Sequence, residues 1–332
     1  MKSNVIELGE FFHKNKFIPL ILHWFKKNQR NLYWRRNRDL YLTYLSEIML
    51  QQTTVKTVEN KILEIINIFP SFNSFKNKKL EQLLKVWSGL GYYNRAVNLF
   101  KAVTIINNKF NGVLPDNRDS LISLPGVGTY TSSAILAIGH NQKAFPIDVN
   151  VKRLVERISG AEFKDNEVES ILSLACKKKI SYRSLAESMM DFSSIICKKN
   201  NPDCDKCKFS NFCKSAFQKF ENNQNTKKIN KKIDFYILNS PLHICFIKKP
   251  KFQFYKNFIH LPSNLDEEFI SNIKLKKKEK IKSFKFVITK NLFQVNVYKL
   301  NQKKLKIANT VWIEKIKTKE LALPTLFKKI LN

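Results

Sequence analysis

Residues Leu124–Arg153 read LPGVGTYTSSAILAIGHNQKAFPIDVNVKR. Pro125 stiffens a turn, and Gly126 and Gly128 can take positive φ without steric cost. Thr129 or Thr131 is then placed to cap a helix whose apolar positions Ala134, Ile135 and Ile138 recur at helical spacing. A glycine turn at a helix N-terminus directs backbone N–H groups outward and makes an anion cradle. Asp148 follows twenty residues after Gly128, with Asn150, Lys152 and Arg153 behind it. A carboxylate and two cations downstream of a phosphate cradle suit work on a nucleic acid. The same pattern also fits an ordinary turn between two packed helices.

Upstream of this stretch the pattern is helical. Pro19, Ile21, Trp24 and Phe25 mark a helix ending near Asn28, preceded by an extension, residues 1–18, with little signal of its own. Tyr33-Trp34-Arg35 puts aromatic rings beside a cation, which serves either surface packing or a base pocket. In YLTYLSEIMLQQTTVKTV, Leu42, Leu45, Ile48, Met49 and Gln52 form one helical stripe, so Glu47 falls on or beside an apolar face. A carboxyl there loses solvation and holds its proton more tightly. Ile62, Ile65, Ile66 and Phe69, then Leu80, Leu83, Leu84 and Trp87, continue the helical spacing as far as the break at Ser88-Gly-Leu-Gly-Tyr-Tyr93. Gly89 and Gly91 permit close backbone approach, while Leu90 and Tyr92 have the shape of wedges that hold a duplex open. A tight corner between two helices explains the same residues.

Downstream, Cys197, Cys204, Cys207 and Cys213 are spaced C-x6-C-x2-C-x5-C, four thiols within 17 residues. Such a cluster reads as a metal site in a reducing compartment, with zinc the generic occupant. Cys176 and Cys245 lie outside it as core residues. Residues 215–232 are polar and aperiodic, a linker to a tail of different character. Ile233–Ile247 and Phe284–Leu300 are strand-like runs broken by turns at Asn239-Ser-Pro241 and Lys290-Asn291, Trp312-Ile313 is a further strand, and a helix opens at Pro324.

The whole chain has 332 residues, room for two domains. Its 59 Lys+Arg against 27 Asp+Glu give a net charge of +32, which favours polyanionic partners. Lysine, asparagine and isoleucine also crowd the chain throughout, so compositional drift contributes. No apolar run reaches membrane-spanning length and Glu7 and Glu10 precede any apolar stretch, so the expected protein is cytoplasmic and without a membrane partner.

Taken together, YLSEIMLQQT, WSGLGYYNRA, LPGVGTYTSSAI, DVNVKR and the cysteine loop resemble the adenine DNA glycosylases of the helix-hairpin-helix, iron–sulfur superfamily. The resemblance covers about residues 20–214 and weakens after 232. It implies a mainly α, two-lobed catalytic region, 16–214, with a six-helix barrel over about 42–145 and an iron–sulfur lobe from 16–41 and 146–214. After the linker, 233–332 would be a small α+β Nudix-like domain. The implied activity is monofunctional removal of adenine mispaired with 8-oxoguanine or guanine in double-stranded DNA, by a bacterial monomer. Glu47 matches the proton donor, Asp148 the carboxylate that stabilises the sugar cation, and Tyr130 and Asn150 their orienting partners. Trp34, Arg35 and Asp191 match the base pocket. Gln52, Thr53, Leu90, Gly91, Tyr92, Gly126, Val127, Gly128 and Lys152 match DNA contacts. Cys197, Cys204, Cys207 and Cys213 match the ligands of one [4Fe–4S] cluster. Tyr33 and Val149 depart from the usual Pro and Gly. The tail lacks the family's glycines in Phe252–Pro262 and has Lys290-Asn291-Leu292 where a Phe-Ser-His turn is usual. Two rivals are an endonuclease III-like glycosylase/lyase, which needs a lysine where Tyr130 stands, and a non-catalytic helix-hairpin-helix module, which needs neither Glu47 nor Asp148.

Overall fold

The computed structural model describes residues 2–177, 179–218, 220, 229–255, 258–273, 278–288, 291–301, 307–321 and 323–331. The chain divides into two compact units: residues 1–77 with 98–223, and residues 78–97 with 224–332.

The first unit is helical. It contains α1 (Lys2–Lys14), α2 (Phe17–Asn28), α3 (Tyr33–Arg36), α4 (Leu40–Leu50) and α5 (Val55–Ile68). Past α6 (Leu80–Val86), which belongs to the second unit, and α7 (Asn94–Lys109), which straddles the division, come α8 (Arg118–Ile122) and α9 (Thr129–Ala134), the latter running into a π turn, Ile135–Gly139. α10 (Val149–Ser159), α11 (Asp165–Ala175) and α12 (Tyr182–Ile195) complete it. Side-chain caps set several starts: Asp39 accepts from the Tyr41 N–H at 2.8 Å for α4, and Ser181 from the Ser184 N–H at 3.2 Å for α12. Helix α4 has nine buried residues, Tyr41 through Met49, so it is enclosed rather than amphipathic.

The N-terminal extension is not featureless. Residues Lys2–Lys14 form α1, which packs on α11 so closely that a Cβ on Gly9 would lie 2.5 Å from the Leu174 Cβ. Phe12, Phe17, Phe209 and Phe192, in that order, continue this packing, with ring centroids 4.8 Å apart at each step. Helix α1 escapes the sequence reading because its buried face amounts to little more than Phe12, with Val5, Leu8 and Phe11 half in.

In the second unit a five-stranded sheet has the order β3-β4-β1-β2-β5, from β1 (Ile229–Asn239), β2 (His243–Ile247), β3 (Glu279–Ile288), β4 (Asn291–Asn301) and β5 (Thr310–Glu314). Both expected hairpins form: β1 pairs antiparallel with β2 and β3 with β4. At the centre β1 runs parallel to β4, Ile229 opposite Asn291 through Asn239 opposite Asn301. Strand β1 begins at Ile229, inside the stretch read as linker; residues 219 and 221–228 of that stretch lie outside the described residues, as does Lys290 of the β3–β4 turn. Alternation along β1 sends Ile233, Phe235 and Ile237 to one core with α14 (Thr325–Leu331), and Tyr236 and Leu238 to another with α13 (Glu267–Ser271). Cys176 and Cys245 are buried, as expected. No helix among the described residues is long and apolar enough to cross a membrane.

Candidate active site

Helix α4 brings Glu47 into the first unit with 6 % of its surface exposed. It lines a pocket with Trp34 and Arg35 from α3, Tyr130 from α9 and Glu187 from α12. Burial raises the Glu47 carboxyl from the usual range to about 7; Arg35 opposes this, Asp148 and Glu187 reinforce it, and a hydrogen bond with Tyr130 opposes it. Tyr130 is itself pushed well above an ordinary phenol by burial and by the two carboxyls, so it keeps its proton and donates to Glu47.

Asp148 caps α10. Its Oδ1 accepts from the N–H groups of Asn150 and Val151 at 3.0 and 2.7 Å, and its Oδ2 from Asn150 Nδ2 at 2.6 Å. Asn150 Oδ1 in turn accepts from Arg153 Nη1 at 2.9 Å, and Arg153 reaches on to the Ser193 and Cys197 carbonyls. Asn150 therefore links Asp148 to the chain that enters the cysteine loop. Val149 takes the first helical position and projects 77 % exposed, which explains why a side chain is tolerated beside Asp148.

Four expected residues look different in space. Asp191 is fully buried and is absent from the pocket lining; Arg35 grips it bidentately at 2.7 and 3.0 Å and Arg30 Nε at 2.6 Å. Burial alone would raise its pKa, but these two guanidiniums outweigh that and hold it below the usual range. Its place is behind Arg35, fixing the guanidinium. Lys152 does not stand free beside Asp148: its ammonium lies 3.4 Å from Asp165 and 4.0 Å from Glu156. Thr129 and Thr131 do not cap α9; Gly128 occupies the cap position without a side-chain bond.

The hairpin turn has Gly126 at φ +82° and Gly128 exposed, with Val127 buried as its anchor. Gln51, at the end of α4, donates to the Gly126 carbonyl and to Thr131 Oγ1, both at 3.2 Å. This tie was missed, since a lone glutamine beside Gln52 and Thr53 carries no distinguishing signal. Gln52 itself is exposed at φ +56°, and Thr53 N–H bonds the Leu50 carbonyl at 3.1 Å. Glu187 was missed as well. It is 2 % exposed, 3.6 Å from Arg35 Nε and 4.0 Å from Arg38 Nη1. Its spacing of four from Asp191, two acids on one helix face, was the available clue.

In the second unit, Leu90 is buried rather than projecting, and the residue that stands out from that loop is Tyr92, 42 % exposed at φ +44° beside Gly91 at φ +68°. Arg95 fastens the loop by donating to the Leu90 and Gly91 carbonyls.

The cysteines Cys197, Cys204, Cys207 and Cys213 line one pocket with Arg157 and Phe220. Backbone N–H groups of Phe209 and Phe217 point at Cys207 Sγ and Cys204 Sγ, each at 3.4 Å, and Arg157 Nη1 lies 3.6 Å from Cys197 Sγ. Donors aimed at sulfur suit thiolates, so the residues fit a sulfur-ligated group. No three His, Cys, Asp or Glu side chains among the described residues close around a single ion. Burial, and then the neighbouring cysteines, raise the Cys207 thiol to about 11, while the Phe209 N–H opposes this.

Residues 45–178 match the HhH-GPD superfamily of base excision DNA repair proteins. The chain is 30% identical over 336 residues to the adenine DNA glycosylase of Buchnera aphidicola subsp. Baizongia pistaciae, covering 95% of this chain and 96% of that one. It belongs to the adenine DNA glycosylase family. A second member, from Buchnera aphidicola subsp. Schizaphis graminum, is 32% identical over 95% of this chain and 98% of its own length. Among solved structures, a thermostable thymine-DNA glycosylase superposes with a TM-score of 0.57 at 29% identity, over 61% of this chain and 96% of that one. An endonuclease III in a non-covalent DNA complex shares the fold, at TM-score 0.53 and 22% identity over 60% of this chain and 94% of that one. This member of the family is a DNA N-glycosylase of base excision repair, predominantly helical with a C-terminal strand-containing region.

Proposed function

We propose that this glycosylase removes adenine mispaired with 8-oxoguanine or guanine in double-stranded DNA, as a cytoplasmic monomer that stops at the abasic site. The observation that carries the reading is one pair of carboxyls in different surroundings: Glu47 buried and protonated to about neutrality, Asp148 fixed by three N–H donors. Glu47 gives its proton to N7 of the flipped adenine, and the C1′–N9 bond breaks with its electrons leaving on the base. Asp148 stabilises the cationic sugar. The Glu47 carboxylate then takes a proton from water as the oxygen adds to C1′, regenerating the acid. Tyr130 and Asn150 orient the two carboxyls; Trp34 and Arg35 form the base pocket, with Asp191 fixing Arg35. Gln52, Thr53 and the Gly126–Gly128 turn contact the duplex, as do Gly91 and Tyr92. Tyr130 is a phenol where a lyase needs an amine, so the lyase reading gains no support.

Cys197, Cys204, Cys207 and Cys213 would hold a [4Fe–4S] cluster, whose contribution is to fix a loop carrying Lys198, Lys199, Lys206 and Lys208. Anaerobically purified protein should be brown; protein carrying zinc alone refutes the cluster. The C-terminal sheet is a degenerate Nudix-like domain. A single-turnover assay on an adenine:8-oxoguanine duplex, scored for abasic sites with and without alkali, tests the main reading. Strand breaks before alkali, or borohydride trapping of a protein–DNA adduct, would overturn it.

A further inference from the structure

The turn that joins α4 to α5, Gln51–Thr54, is sharper than its residues prefer. Gln51 leaves the helix at φ −54° and ψ 111°, and Gln52 then takes φ +56°, a left-handed backbone that a residue with a Cβ adopts only at a cost. The Thr53 N–H closes the turn on the Leu50 carbonyl at 3.1 Å, and Thr54 caps α5 by accepting from the Thr57 N–H at 3.3 Å. A further support reaches across 75 positions of sequence. The Gln51 carboxamide nitrogen donates to the Gly126 carbonyl and to Thr131 Oγ1, both at 3.2 Å. A carbonyl can only accept, so chemistry settles which end of the amide faces the hairpin. Both acceptors are themselves well held, Gly126 in a turn at φ +82° and Thr131 with 3 % of its surface exposed.

We propose that Gln51 is a positioning residue that braces the α4–α5 turn on the hairpin, so that seating the hairpin on a phosphate and presenting Gln52 to the duplex become one event. The proposal rests on the reading that both segments contact DNA. A strained turn with an exposed side chain relaxes into other backbone states unless its surroundings over-determine it. Gln52 is exposed, and its own neighbours supply only the local turn and the α5 cap. The brace adds a fixed point outside the turn, on the segment that meets the phosphate. It works in both directions: a hairpin that settles on the backbone carries the Gly126 carbonyl, and with it Gln51, into register. The space opened by a departing base must be filled while the base is out of the stack. A Gln52 already held in one backbone conformation fills it without a conformational search. Thr131 is the buried half of this clamp and acts only through the Gln51 amide.

The test compares the full chain with Q51M, T131V and T131S on a duplex that has adenine opposite 8-oxoguanine and 2-aminopurine beside that adenine. The 2-aminopurine fluorescence rises when the stack opens, so stopped flow gives the opening rate. Single-turnover adenine release follows the chemistry, and titration of a fully paired duplex follows phosphate seating. Q51M keeps the length of glutamine without the donor. Its opening rate should fall about tenfold while its affinity for the paired duplex stays within about twofold. T131V removes one of the two acceptors at nearly constant shape and should lose about threefold, whereas T131S should match the wild type. The double variant Q51M/T131V should be no slower than Q51M, since the hydroxyl has no route except the amide. Wild-type opening in Q51M overturns the proposal, as do equal losses in opening and in paired-duplex binding, or losses that multiply in the double variant. Should Q51M fail to fold, T131V against T131S decides, and equal opening rates in that pair overturn the brace. A wild-type stack that opens without adenine release would sink the excision reading and leave the opening rates to judge Gln51. A wild-type stack that never opens would sink the brace.

Discussion

Each compact unit buries a titratable side chain that resists charging, and the two do so in opposite directions. In the helical unit Glu47 is raised to about 7 by burial. In the sheet unit burial lowers His260 to about 4, against the opposing effects of the Leu261 carbonyl, 2.7 Å from Nδ1, and Asp266. The neighbours make the difference. Glu47 shares its pocket with Arg35, Tyr130 and Glu187, groups that can trade protons or charge. His260 stacks on Phe327 at 4.8 Å and meets Phe235 and Phe252, with Nε2 unpartnered. Burial among polar neighbours beside an opening stores a proton for use; burial among rings turns histidine into packing material. Stability follows with opposite slopes. The contribution of Glu47 is fully present below its unfolded pKa near 4.5 and is lost as pH rises toward 7. That of His260 is fully present above 6.5 and is lost as pH falls toward 4.

The sharpest break of this contrast is Glu47→Gln. Adenine release should fall at least about a thousandfold while duplex binding persists, measured by single-turnover release and by gel shift. Release at the wild-type rate would reduce Glu47 to another packed group. Next in size is Asp191→Asn, which removes the buried carboxylate that Arg30 and Arg35 share. A loss of roughly 3–5 kcal/mol in urea unfolding is expected, and a loss under about 1 kcal/mol would mean the guanidiniums are solvated in place. The pH slopes come third. Glu47→Gln should gain up to about 3 kcal/mol above pH 7, and His260→Leu should flatten the acid limb of unfolding by at most a similar amount. Matching slopes before and after substitution would erase the distinction between the two burials. The smallest effect is expected at Asn291→Ala. The ratio of excision opposite 8-oxoguanine to that opposite guanine should change by no more than about fivefold, one neutral hydrogen bond's worth. A collapse of that ratio would give the sheet unit a reading role as demanding as the pocket's.

What could be read in advance was what the chain encodes locally. The turn at Gly126 and the grouping of the four cysteines are short-range patterns, and both form, whereas Gly128 takes a negative φ and the cap made by Asp148 was not read. Glu47 was legible because an acid stands out in an apolar helix. Glu187 was not, because α12 is amphipathic and an acid on such a helix ordinarily faces water. The clamp on Asp191 joins residues 161 positions apart, a pairing no periodicity announces. The parallel pairing of β1 with β4 was hidden for the same reason, since hairpins follow from turns whereas crossovers follow from the whole sheet. Lys152 was misjudged because proximity in sequence to Asp148 says nothing of the turn of helix that delivers it to Asp165.

The loop around Gly91 has a further consequence, one of timing. Within its unit, Tyr93 packs edge-on against Phe258 at 4.5 Å, and Lys328 reaches Ser88 Oγ at 2.9 Å across a separation of 240 positions. Chains are made at roughly 5–20 residues per second, so residues 88–93 leave the ribosome roughly 10–50 seconds before their last support exists. The helical unit, complete by residue 223, can fold inside that interval. The loop that carries Tyr92 therefore gains its contacts with Phe258 and Lys328 only after those residues have been made, while Arg95 can hold it from the start.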